Sequence, residues 1–293
     1  MKIPHNLWLA AIGISSTLIS SCSLNRIAAN TTAGVMVNAS KTFNEESDLD
    51  WAEAAMPGNL KMIEGLLVSS PENTDLLGML AQGYCSYGFA FLEDSEEPNK
   101  VERAKRFYQR GYHYGLRALP KSIQSTSAST LDSFENSLKD ISKSDVPNLF
   151  WSAYCLGNWV NLNKANVAGI AELSRSELMM RKVLELDESF YYGGAHLFYG
   201  VYYGGRPKIL GGNTKRAKEH FDKASAFSSG KLLVTKLFTA QYFAVPTQDE
   251  ELFGSLLKEI LAAPDDIMPG EALATQLSKR KAAKLLKNQK DLF

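Results

Sequence analysis

The sequence predicts an all-α chain folded as an α-solenoid, a curved stack of helical hairpins. Three observations lead there. Apolar residues recur at helical spacing through most of the chain, and no long run alternates with period two. Short turns rich in Gly, Pro, Asn and Ser separate the apolar segments, which makes neighbouring helices antiparallel hairpins. Each hairpin carries an apolar face that it cannot bury alone, so stability requires stacking on its neighbours. The chain of 293 residues is long enough for a large core or a row of repeats. With 32 basic and 32 acidic residues its formal net charge is zero, whereas nucleic-acid binding asks for a basic stripe.

The chain opens on a leader. Residues 1–21 hold a short positive start at Lys2, an apolar run from Leu7 to Ile19 and small residues before Cys22, the pattern of a secretory signal. The apolar run is shorter than the ~20 residues that span a bilayer. Ile19-Ser20-Ser21-Cys22 resembles a bacterial lipobox. Cleavage would then precede Cys22, its thiol would take a diacylglycerol, and the new amine would be acylated. Several acyl chains together hold a protein firmly on a membrane. An ordinary secretory leader with an incidental cysteine is the alternative. Ser23 after the cysteine favours the outer membrane. The expected product is a periplasmic lipoprotein, probed below through Cys22.

Residues 22–47 read as a lipid-anchored tether that turns into a first helix, and residues 48–293 as the solenoid domain. Asp48 to Ser69 reads as a helix interrupted at Pro57, with Asn59, Ile63 and Leu66 on one face and Pro71 closing it. Leu77, Leu80-Ala81 and Tyr84 set the phase of the next helix. The acidic loop Glu93-Asp94-Ser95-Glu96-Glu97-Pro98 leads to a helix carrying Ala104, Tyr108 and Gly111. The Ser-rich stretch 121–145 reads as one short helix between polar turns. Asp145 to Asn163 is strongly apolar, and Ser174 to Leu186 is its partner. Lys231 to Phe243 is stopped by Pro246; Glu250 to Leu261 and Gly270 to Lys287 close the chain.

The most informative stretch runs from Ser189 to Ser229. Tyr192, Phe198, Tyr199, Tyr202 and Tyr203 stand among Gly193, Gly194, Gly200, Gly204 and Gly205 in helical phase. A turn from Gly204 to Gly212 follows. Asn213 and Thr214 then offer caps to an amphipathic helix with Ala217, Phe221 and Ala224 on one face. The residue types resemble a tetratricopeptide repeat: Tyr199-Gly200 and Tyr203 in helix A, Ala217, Phe221 and Ala224 in helix B. Glycines inside a helix cost about 1 kcal/mol each relative to alanine. That cost suits a place where another helix or a ligand approaches the backbone. The helix from Tyr191 to Tyr203 is therefore expected to line an apolar channel or groove. Its candidate wall residues are Tyr192, His196, Phe198, Tyr199 and Tyr202. The alternative places every ring in the core.

Catalytic constellations are missing from the pattern. His113, His196 and His220 lack paired ligand spacing, and no phosphate-binding loop, nucleophile elbow or zinc helix is present. The expectation is a protein that is not an enzyme and takes no cofactor or metal. Cys85 and Cys155, both in helix-A patterns, are expected as two buried thiols, although an oxidising periplasm permits a disulfide. The cluster Lys279, Arg280, Lys281, Lys284, Lys287 and Lys290 reads as a solvated face near a helix C-terminus, where cations suit the dipole. Lys279, Arg280, Lys284 and Lys287 form the candidate face for an acidic partner.

Several segments in series carry a family likeness: Asp48 through Pro71, Leu77 to Tyr84, Phe190 through His196, Leu210-Gly211-Gly212, Ala217 with Phe221 and Ala224, and Lys279-Arg280-Lys281-Ala282. With them the chain, from Cys22 to Phe293, resembles the T-component family of TRAP transporters (TatT), periplasmic lipoproteins of cryptic tetratricopeptide repeats. Thr275-Gln276 departs from the Asn that the family favours after Leu-Ala. The resemblance implies a homotrimer, an apolar channel through each subunit and docking to a TRAP solute-binding protein. An apolar or carboxylate-bearing small ligand would pass between them. A competing reading is an outer-membrane repeat lipoprotein that scaffolds envelope assembly or peptidoglycan enzymes and takes no small ligand. Lipidation is tested by Cys22→Ser. The variant should leave the membrane fraction and lose the acyl mass that the wild type carries; equal membrane association of both, without acyl mass on the wild type, would refute it.

Overall fold

Helices begin where the sequence supplies a cap. Asp48 accepts from the backbone N–H groups of Asp50 and Trp51, each at 3.0 Å, and opens α3 (Leu49–Ser69). Asn73 does the same for α4 (Thr74–Tyr87), accepting from Leu76 at 2.9 Å. Pro98 takes the first turn of α5 (Pro98–Arg117), where its missing N–H costs nothing. Asn213 caps α12 (Thr214–Phe227) through Arg216 at 3.0 Å, and Asp249 caps α14 (Glu250–Ala262) through Leu252 at 2.9 Å. The computed structural model describes residues 24–293; the expected leader and the expected lipidation site, Cys22, lie outside the described residues. Among the described residues the chain is helical, with no strand.

The remaining main elements are α1 (residues 24–39), α2 (Lys41–Asn44), α6 (Lys121–Thr126), α7 (Leu131–Ser137), α8 (Val146–Asn161), α9 (Val167–Ala171), α10 (Leu173–Asp187), α11 (Phe190–Gly204), α13 (Leu233–Thr239) and α15 (Ala272–Lys287). From α3 onward the long helices pack each on the next, as stacked hairpins must. The helices α4, α8, α11 and α13 also touch in sequence and form the inner layer. Leu76, Leu77 and Leu80 are fully buried at the first junction, as are Ala104 and Tyr108 of the partner helix. Among the described residues this is an all-α, solenoid-like stack of helical hairpins.

Several local details differ from the sequence reading. α3 runs unbroken through Pro57. The lost hydrogen bond is outweighed because Met56, Leu60 and Ile63 continue one buried stripe across it. The stretch 121–145 holds two helices, since Thr130 caps a second one. Both α4 and α13 end in wider π-helical turns, Gly88–Leu92 and Ala240–Ala244. Cys85 and Cys155, expected as free thiols, form a disulfide with their Cα atoms 5.5 Å apart. The reason is the repeat itself: α4 and α8 are neighbours in the inner layer, so equivalent positions face each other. Gly111 of α5 leaves room for the bridge, because a Cβ there would sit 2.9 Å from the Cys155 sulfur and closer still to that of Cys85.

The two ends of the stack are joined. α15 returns to pack on α2, α3 and α13, so the concave face of the solenoid is crossed by its last helix. Leu80 tests the register of the stack. Leu80→Ala should lower unfolding free energy in denaturant titration by about 2–5 kcal/mol, the cost of truncating a leucine with no space to collapse into; a change within about 0.5 kcal/mol is what a surface position would give.

Candidate functional site

Where α15 crosses the concave face it walls a partly open cavity of about 750 Å³, within the range of small-molecule sites. Each wall helix contributes one stripe at helical spacing. From α8 come Trp151, Tyr154, Asn158 and Asn161; from α11 come Tyr191, Gly194, Phe198, Val201 and Tyr202; from α15 come Leu273, Leu277, Lys281 and Leu285. Phe89 of the first π turn meets Phe238 of α13 edge to face at 5.8 Å. The lining is mainly apolar and aromatic, with a few polar groups set into it.

One polar group holds α15 in place. The Lys281 ammonium lies 3.3 Å from a Glu93 oxygen, also pairs with Asp94, and sits 4.1 Å over the Phe89 ring. The Tyr108 hydroxyl donates to Glu93. Burial pushes the Glu93 carboxyl up, and Lys281 opposes that shift. Arg280 donates to the Ala90 carbonyl and lies 5.3 Å over Phe91, while Lys284 donates to the Asp94 carbonyl. Lys279 pairs with Asp265, and Lys287 is exposed. Three of the four cations expected on a solvated partner face therefore hold contacts within the chain. Arg280 and Lys284, with Lys281, lie against the acidic turn after α4, nearly two hundred positions earlier, whereas Lys279 pairs locally with Asp265.

The start of α11 is not the regular helix that its phase suggests. Tyr191, Tyr192 and Gly193 adopt left-handed φ values of 49°, 56° and 74°, and the right-handed helix begins after them. For each tyrosine that conformation costs roughly 1–2 kcal/mol. Packing over-determines it: the Tyr191 ring lies 5.7 Å from Phe150 and 5.2 Å from Trp151, and Phe227 presses on Gly193 where a Cβ would stand.

Of the five candidate wall residues, Phe198 and Tyr202 stand on the cavity wall. Tyr199 is buried away from it, and its hydroxyl donates to Glu177 at 2.8 Å. His196 faces α12, and Tyr192 faces Glu271. Gly200 serves helix packing, since a Cβ there would lie 2.5 Å from the Phe221 ring of α12. Sequence reasoning missed Tyr191, Leu197 and Val201 of α11, together with Trp151 and Tyr154 of α8. The phase of Phe198 and Tyr202 points to Val201 and Leu197; nothing local announces that α8 faces the same space.

A family model described as TRAP transporter T-component matches residues 45–293. The chain belongs to that family. It is thus a component of TRAP-type transport. No curated protein matches it. In this T-component no helix of the described residues is long and apolar enough to cross a membrane, and no cluster of three or more metal-ligating side chains occurs among them.

Behind the cavity wall the T-component carries a histidine pair. His196 Nδ1 and His220 Nδ1 are 2.9 Å apart, and His196 Nε2 is 3.4 Å from Glu188. With Nε2–H donating to Glu188, the His196 Nδ1 accepts from His220 Nδ1–H, and both rings are neutral. Burial, followed by the neighbouring His196 and cations, pushes His220 down to about 4 from its ordinary 6.5. The unfolded chain therefore binds more protons than the folded one between those values, so this group's contribution is full above the unfolded value and is lost as pH falls towards 4. Glu271 acts with the opposite sign, being pushed up by burial to about 7 from 4.5. The check is differential: the fall in Tm between pH 7.5 and 5 should be smaller in His220→Gln than in the wild type, and an identical fall would remove the pair from the acid response.

Proposed function

We propose that this T-component is an accessory of a TRAP-type uptake system that holds or passes an apolar small ligand through this cavity and docks a TRAP solute-binding protein. The observation that carries the reading is the cavity itself: about 750 Å³, largely apolar, and walled by every inner-layer helix together with α15. The long aromatic stripes that build it are more than hairpin stacking needs. We read the chain as a binding component without catalysis, anchored in the periplasm through a lipidated Cys22, on the outer membrane, and working as a homotrimer. A pure envelope scaffold has no use for such a space.

Filling the cavity tests this. Val201 is half-buried on the wall, away from the Phe221 contact that Gly200 makes. In Val201→Trp, binding of an apolar fluorescent probe such as N-phenyl-1-naphthylamine should fall about tenfold, roughly 1.4 kcal/mol, with the helical circular dichroism and Tm retained. Unchanged probe affinity in the folded variant would overturn the cavity assignment. Docking is read separately, as co-purification of the purified chain with the TRAP solute-binding protein.

A further inference from the structure

Three acidic side chains line the cavity, Glu93, Asp94 and Glu271, and their circumstances differ: Lys281 pairs with both Glu93 and Asp94. Glu93 is neutralised by Lys281 and hydrogen-bonded by Tyr108. Glu271, on the wall at the start of α15, has no cation beside it. It is 6% exposed, makes no ion pair, and has the Tyr192 hydroxyl as its hydrogen-bonding neighbour. Although Glu271 stands at the N-cap position of α15, its side chain makes no capping bond to the first amides. It is turned towards the cavity instead. A carboxylate in that position is costly to bury and is normally paired.

Aromatic faces gather beside it. Tyr191 lies close enough to Glu271 to feel its charge, and Trp151 lies 5.2 Å from Tyr191, with Phe150 5.2 Å from Trp151. Tyr191, Trp151, Phe150 and Glu271 all line the cavity. The strained left-handed turn is what sends Tyr191 to this wall and Tyr192 to Glu271. A buried carboxylate beside electron-rich rings suits an ammonium group: the acid supplies the counter-charge, and the rings supply cation–π attraction. The apolar stripes of α8 and α11 continue from it.

We propose that the Glu271 end of the cavity is a subsite for the ammonium group of an amphipathic amine whose apolar tail lies along the α8–α11 wall. This rests on the reading of the cavity as a ligand site. The bound cation supplies the missing partner of Glu271. Burial keeps the unliganded acid readily protonated.

The experiment compares three probes of one chain length, dodecylamine, dodecanol and dodecanoate, below their aggregation concentrations. Binding to the unlipidated protein is measured by titration calorimetry at pH 8. The wild type should prefer dodecylamine over dodecanol by about tenfold or more, and dodecanoate should bind weakest. In Glu271→Gln the preference should shrink to about threefold or less while dodecanol affinity stays within about twofold, which also shows that the variant is folded. Dodecanol or dodecanoate binding as tightly as the amine, or a Glu271→Gln protein that keeps the preference, overturns the subsite and leaves the cavity reading standing. Failure of all three probes to bind overturns the cavity reading and the subsite with it.

Discussion

Lys281 and Glu93 meet at the closure of this molecule, with side chains only 11% and 13% exposed. A buried pair of this kind adds little net stability, because desolvation offsets the attraction, but removing either partner would strand a charge. Its effect is to specify position. Lys281 finds its counter-charges only when α15 lies across the acidic turn after α4, 188 residues earlier in the chain. Lys284, Arg280 and the ring of Phe89 register the same alignment. Without that alignment the solenoid has a concave groove; with it, the groove becomes a partly covered cavity.

Burial changes the chemistry of the groups set into this wall, because for a buried group charges and ring faces count for more than they do in bulk water. Glu93 has its partner built into the chain. Glu271 has a tyrosine hydroxyl and aromatic neighbours. The two acids thus differ along α15, with a compensated acid at its middle and an acid without an ion pair at its start.

α11 shows how one helix serves two surfaces. Its face with His196, Tyr199 and Gly200 packs on α10 and α12 through the histidine pair, the Glu177 hydrogen bond and the Phe221 contact. The opposite face, with Phe198, Val201 and Tyr202, borders the cavity. Both faces are aromatic, so aromaticity alone does not tell wall from core. The left-handed turn at Tyr191–Gly193 adds a rotation that no helical wheel contains, and it redirects Tyr191 and Tyr192.

By itself the sequence determined what depends on neighbours a few positions away. Asp48, Asn73 and Asn213 start their helices, the i to i+4 spacing of Leu80 and Tyr84 sets the buried face, and breakers between 204 and 212 make a hairpin of α11 and α12. These are local interactions, and family membership is legible in the same segments. The tertiary structure decided whatever depends on partners distant in the chain. Cys85 and Cys155 are 70 residues apart, and only the stacking of α4 on α8 pairs them. The basic run on α15 reads as a solvated face until the acidic turn after α4 is brought against it. Which aromatics line a cavity depends on a helix that closes it from the far end of the chain, and spacing within one helix carries no record of that partner.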